Sequence, residues 1–313
     1  MESAKIVLNQ VGVMFLLIDA GLILIKKKII TQSSTKSISN LLLYLVVPAL
    51  LIKAYSREIK YNEFMCLIYA FIISIFFHLI GIIIAYIFIK KTKNDDYKID
   101  RLSVIYSNCG FMAFPILSVV LGDEGIFYGS AFVAVFNIFL WTHGINVLIE
   151  NKKLDIKKAV LNPGCIAVML GIITYIFQIK FPVIIEEAIG YVADLNTPLA
   201  MIVVGGMLSD IKWGKFLDIR LILVSFIRNL FLPIVGILII KIFKIYMISA
   251  NMTDVCIAIS LCASCPVAAS ITLLPASMGM EASRGSKIIA FTTICSIITL
   301  PFITFLVQTL FHN

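Results

Sequence analysis

The sequence predicts an all-α polytopic membrane protein with ten transmembrane helices, built as two inverted sets of five in which the fourth and ninth helices are broken. Three observations predict it. The chain is 60% apolar and only 14% charged, whereas about 25% of the residues in a soluble domain are charged. Its apolar residues fall in runs of about 20, the length that a helix rising 1.5 Å per residue needs to cross a hydrocarbon core of about 30 Å. Asparagine, glycine and proline interrupt two of those runs. Lipid offers backbone N–H and C=O groups no partners, so the runs must be helices.

The runs are 6–25, 38–56, 64–90, 101–121, 124–149, 160–179, 196–209, 220–243, 254–277 and 286–310. The first lacks a small-residue cleavage site and is followed, not preceded, by Lys26-Lys27-Lys28. It therefore reads as a retained helix, not a signal peptide. The seventh is short, and Glu186, Glu187 and Asp194 make the stretch before it amphipathic. That stretch is expected to lie in the interface or to extend the seventh helix outward.

Charge fixes the orientation. Of the 26 Lys and Arg residues, 18 fall in the loops after helices one, three, five, seven and nine, 7 fall on the opposite side, and Arg228 lies inside helix eight. Such a bias over short loops puts both termini outside a cell membrane, and it puts the loop after helix five (Lys152, Lys153, Lys157, Lys158) in the cytoplasm. The net charge of +8 is thus an orientation signal split into short clusters, and no nucleic-acid partner is expected. Seven cysteines lie almost entirely within apolar runs and form no CxxC pair with accompanying histidines. Packing explains them better than a zinc site or a disulfide framework. No metal or cofactor is expected.

Two odd sets of five must run through the membrane in opposite senses. Sliding the sequence by 157 residues lays 45–51 (LVVPALL) over 202–208 (IVVGGML), and Gly122 and Glu124 over Gly279 and Glu281. The expected repeats are 1–150 and 151–313. Folds of this kind place the substrate near the midplane, between discontinuous helices.

The break in helix four is Ser107-Asn108-Cys109-Gly110-Phe111-Met112-Ala113-Phe114-Pro115, and helix nine answers it with Ser264-Cys265-Pro266, followed by Pro275. Proline removes an amide donor and clashes with the preceding turn, and glycine permits unwound backbone. The offset lays Asn108 over Cys265 and Cys109 over Pro266. Each break leaves a half-helix whose N-terminus carries unpaired amides and a positive partial charge. Two such ends converging deep in the membrane suit a carboxylate. The candidate binding residues are Asn108, Cys109, Gly110, Phe114, Pro115, Cys265 and Pro266. Asn108 can donate to a carboxylate or accept from its other groups, and Phe111 and Phe114 either line an apolar pocket or face lipid.

Arg228 lies about eight residues into helix eight, roughly 12 Å along its axis. A cation there must snorkel, bond to carbonyls, pair or meet an anion. Asp19, well inside helix one, and His78 and His143, in helices three and five, are the candidates for ion coupling. Each also has a structural reading as a hydrogen-bonded residue of the bundle.

The helix-four segment resembles the Asn-x-Gly-Phe-x-Gly-x-Pro signature of the auxin efflux carrier family, which includes plant auxin exporters and bacterial malate and malonate permeases. Ala113 stands where that pattern usually has glycine. Pro48, Arg228-Asn229-Leu230-Phe231-Leu232-Pro233, Pro266 and Thr299-Leu300-Pro301 support the resemblance, which spans the chain in the compact bacterial form. It implies a fold similar to sodium/bile-acid symporters and sodium/proton antiporters. A scaffold from 1–56 and 160–209 would support a transport domain from 64–149 and 220–310, whose broken helices cross and which moves as an elevator. A homodimer through the scaffold helices is compatible with that arrangement.

The expected function is secondary transport of a small organic anion, a mono- or dicarboxylate, with proton or sodium coupling left open. The alternative is a cation-coupled symporter or exchanger, or a passive channel, on the same fold. A cation exchanger would show two adjacent acidic residues at the crossover, where this chain has Asn108 and Cys109. An enzyme is not expected: the three histidines are 78, 143 and 312, and no HExxH or GxSxG motif occurs. Short loops and tails also argue against a receptor.

Overall fold

A computed structural model describes residues 2–92, 95–149, 156–209, 218–280 and 283–311. Lys152, Lys153, Glu281 and His312 lie outside the described residues. Among those described, the elements are helices: α1 (Glu2–Lys26), α2 (Gln32–Tyr55), α3 (Tyr61–Phe88), α4 (Asp96–Ile105), α5 (Cys109–Leu148), α6 (Pro163–Ile176), α7 (Val183–Leu208), α8 (Ile219–Ile242), α9 (Met252–Ser264), α10 (Ser270–Ser277) and α11 (Ser283–Phe311). A further turn of helix, Ile156–Val160, precedes α6.

Seven of these, α1, α2, α3, α5, α7, α8 and α11, are long and apolar enough to cross a membrane; α6 and α9 are shorter apolar helices. Large apolar side chains stand exposed on their outer faces, Leu16, Ile83 and Ile298 among them. In water such faces would aggregate, whereas in lipid they are in their own solvent. The amphipathic stretch before the predicted seventh span joins it as one helix, α7, of 26 residues.

Glycines set the closest helix approaches. A Cβ at Gly205 would stand 2.0 Å from the Ile18 carbonyl oxygen, and one at Gly21 would stand 2.4 Å from that of Ile202, so α1 and α7 touch backbone to backbone. At 40 residues α5 exceeds one crossing. Gly122 folds it at φ 64°, ψ −147°, a conformation open to glycine because it has no Cβ. The predicted end of helix four and start of helix five are the two arms of this kink.

Prolines prove gentler than the sequence suggests. Pro48, Pro115 and Pro233 each follow a five-residue π-helical stretch, namely Leu42–Val46, Cys109–Ala113 and Ile227–Phe231. Proline cannot donate to the carbonyl four residues back and crowds it, and the wider π turn makes room. Pro275 and Pro301 sit inside helices. The chain leaves helical geometry elsewhere, at Tyr106–Asn108 and at Cys265–Ala269.

Candidate functional site

At both interruptions the backbone turns extended, with Tyr106 at φ −104°, ψ 109° and Cys265 at φ −61°, ψ 150°. The ten residues of α4 reach about 15 Å, half the depth of a hydrocarbon core. The two extended segments pair antiparallel at Ser107 and Val267. The Asn108 amide donates to the Pro266 carbonyl at 2.7 Å, and the Ala268 amide donates to that of Tyr106 at 3.1 Å. Each break thus supplies partners for the other's backbone.

An interrupted helix exposes negative ends as well as positive ones, and the negative ends are capped. Arg228, 1% exposed, donates from Nη1 to the Val104 and Ile105 carbonyls at 2.9 and 3.0 Å, closing the end of α4. The Ser107 hydroxyl donates to the Cys262 carbonyl of α9 at 2.8 Å. The π turn of α8 also presents Asn229, which donates to the Thr292 carbonyl at 2.8 Å, and the Thr292 hydroxyl accepts from the Val267 amide at 3.2 Å. Arg228 and Asn229 therefore hold both breaks from one turn of α8.

The positive ends face a cavity of about 340 Å³. The starts of α5 and α10 contribute Asn108, Gly110, Phe111 and Ser270, and the far end of α5 adds Phe136, Asn137, Leu140 and Trp141. Opposite lie Ser39, Leu43 and Val47 of α2, and Asn162, Pro163 and Gly164 at the start of α6. No Lys, Arg, His, Asp or Glu is among the lining residues. The cavity sits on the side of the break where α2 and α6 begin and α5 ends.

Of the residues the sequence singles out, Asn108, Gly110 and Phe111 line this cavity. Asn108 is 7% exposed, and its side chain has no hydrogen-bond partner among the described residues. Cys109, Phe114, Pro115, Cys265 and Pro266 are buried behind the wall and do not line it. Asp19 is exposed on α1. His78 holds the Ser74 carbonyl through Nδ1 at 2.8 Å, and His143 Nδ1 lies 3.1 Å from the Tyr106 hydroxyl, which donates to the Phe139 carbonyl at 2.8 Å. The Nε2 atoms of both histidines are buried without a partner.

The reading from sequence passes over Ser39, Asn137, Trp141, Asn162, Gly164 and Ser270. Asn162-Pro163 carries a helix-start signature, an N-cap followed by proline, but nothing in it announces a cavity. A charge cluster also goes unforeseen. Asp100 is fully buried and takes Arg284 Nε at 2.8 Å and Arg220 Nε at 2.5 Å, while Arg284 Nη1 reaches Asp218 at 2.6 Å. It ties together the starts of α4, α8 and α11. Partial burial opposes ionisation of Asp218, but the Leu221 amide and Arg284 outweigh it and hold its carboxyl below the usual 3.8.

A family model described as membrane transport protein matches residues 6–156 and 148–304. The chain belongs to that family, the auxin efflux carrier family. It is a multi-pass membrane transporter. A comparison of the transporter with curated proteins returns no match.

Proposed function

We propose that this transporter carries a small organic anion, a monocarboxylate with an apolar body, by elevator-type alternating access. The observation that carries the proposal is the convergence of two helix N-termini and the unpartnered Asn108 side chain on an uncharged cavity. Each terminus is equivalent to roughly half an elementary charge, so the pair offsets about one carboxylate. Among the described residues no cation lines the cavity to pair a second carboxylate, and Leu43, Val47, Phe136 and Leu273 make much of the remaining wall apolar. The same walls suit an aliphatic or aromatic body.

In this reading the chain crosses the membrane ten times as a five-plus-five inverted repeat, with α4–α5 and α9–α10 as its crossing broken helices. The backbone supports it: Gly122 and Gly279, which the 157-residue offset superposes, are the glycines with positive φ among the described residues. The scaffold comprises 1–56 and 160–209, and the transport domain 64–149 and 220–310. With both termini outside a cell membrane, the cavity opens toward the cytoplasm and the conformation is inward-facing.

A second reading adds proton coupling. It rests on His78 and His143, whose rings flank that of Tyr106 at 6.3 and 6.4 Å, beside the carbonyl that joins the two breaks. Uptake into proteoliposomes tests the first reading. Hexanoate uptake should exceed succinate uptake and should be lost in Asn108→Ala. Succinate uptake equal to that of hexanoate, unaffected by Asn108→Ala, would exclude the proposal. Uptake that responds to an imposed pH gradient, and ceases to respond in His143→Gln, is expected if protons are coupled.

A further inference from the structure

The cavity has a third helix N-terminus on its wall, and it belongs to the other side of the proposed domain boundary. In the first turn of the 14-residue α6, Pro163 has no N–H, and the Cys165 amide donates to the Asn162 side-chain oxygen at 3.0 Å. The Ile166 amide donates to the Asn162 carbonyl at 3.0 Å. That leaves the Gly164 amide, on a buried residue of the cavity wall, as the first-turn donor with no partner among the described residues. Two further polar groups in the same cavity lack partners: the Asn108 side chain, 7% exposed, and the buried Ser270 hydroxyl oxygen. Three unpaired groups from three chain segments around one space point to a ligand that answers them together.

We infer that the Gly164 amide is a third donor to the carboxylate, supplied by the scaffold while Asn108 and Ser270 come from the transport domain. The inference rests on the anion site proposed above. It gives that site a state dependence, because the ligand is held from both bodies in this conformation. When α5 and α10 slide away from α6, it keeps only the donors that travel with it. The scaffold contact then raises affinity on this face of the membrane relative to the other. Close packing supports a mutual fit here, since a Cβ on Gly164 would stand 2.5 Å from Asn137 Nδ2.

The test is equilibrium binding of radiolabelled hexanoate to the purified full chain, with three substitutions at the start of α6. Gly164→Ala adds a Cβ and keeps the N–H. Gly164→Pro adds a ring and removes the N–H, in the first turn, where no intrahelical bond is lost. Asn162→Asp keeps a capping oxygen, sets a negative charge at the terminus and gives up the Nδ2 donor that meets the Ala159 carbonyl. Affinity is expected to fall at least tenfold further in Gly164→Pro than in Gly164→Ala, whose Cβ already displaces Asn137, and at least tenfold in Asn162→Asp, the loss expected for one hydrogen bond to a charged group. Should Gly164→Pro not give monodisperse protein, Asn162→Asp decides alone. Wild-type affinity in both, with binding still abolished by Asn108→Ala, would overturn the role of α6 and leave the anion site standing. Wild-type affinity in Asn108→Ala as well would remove the site itself.

Discussion

Arg228 shows how one side chain makes a broken helix tolerable in lipid. The end of α4 leaves carbonyls without partners at about the depth where water is scarcest, and an arginine at that depth is itself expensive. Put together they offset each other in part: Nη1 meets two carbonyls at the negative end of the helix, while Nε and Nη2 are buried without a partner among the described residues. Arg228→Gln should therefore destabilise the fold by about 2 kcal/mol, the scale of hydrogen bonds to a charged group, seen as a lower denaturation midpoint in detergent. An unchanged midpoint would mean that the cap contributes nothing. The sequence places Arg228 deep in its span and leaves its partner open between carbonyls and an anion. Deciding between them needs the position of α4, which is more than 100 residues away in the chain. Asn108 is legible for the opposite reason, because an asparagine between a break and a glycine is informative without knowledge of its neighbours.

Elements show the same division between what local chemistry reveals and what packing decides. Apolar runs announce the long helices, and their starts and ends differ from the observed ones by a few residues, except where α7 absorbs the amphipathic stretch before it and α5 joins the end of the fourth run to the fifth. Breaks are announced by Asn-x-Gly and Cys-Pro, but Pro115 is accommodated by a π turn beyond its break, whereas Pro266 lies within the other. A π turn depends on how neighbouring helices hold the two arms, so periodicity cannot reveal it. The cluster of Asp100, Arg220, Arg284 and Asp218 is equally silent in sequence, since its members come from three distant helix starts. The Asp218 carboxyl is held below its ordinary value, so the stability it contributes is fully present above about pH 4 and is lost as pH falls through its lowered folded value. Thermal denaturation between pH 3 and 6 should show wild type converging on Asp218→Asn at the acid end and exceeding it at the other. Parallel curves across that range would count against the carboxyl's part in the cluster.

For the whole molecule, the proposed five-plus-five count rests on charge alternation, while the proposed division into two bodies comes from a family resemblance. Nothing in composition marks α2, α6 and α7 as fixed and α5 and α10 as moving. The packing offers a direct way to ask. Asn137 and Gly164 touch across the proposed boundary, at a spacing that suits a disulfide. In the double variant Asn137→Cys, Gly164→Cys, oxidation should arrest uptake and reduction should restore it. Uptake that continues with the bond formed would show that these helices need not part during transport.

The most direct measurement is a thermal-shift titration of the purified protein with a series of carboxylic acids. A ligand at a hundred times its dissociation constant adds about 2.7 kcal/mol to apparent stability, well above the resolution of the method. Hexanoate should raise the melting temperature of wild type and leave that of Asn108→Ala unmoved, with succinate weaker than hexanoate. Equal shifts in wild type and Asn108→Ala would contradict binding where the broken ends meet.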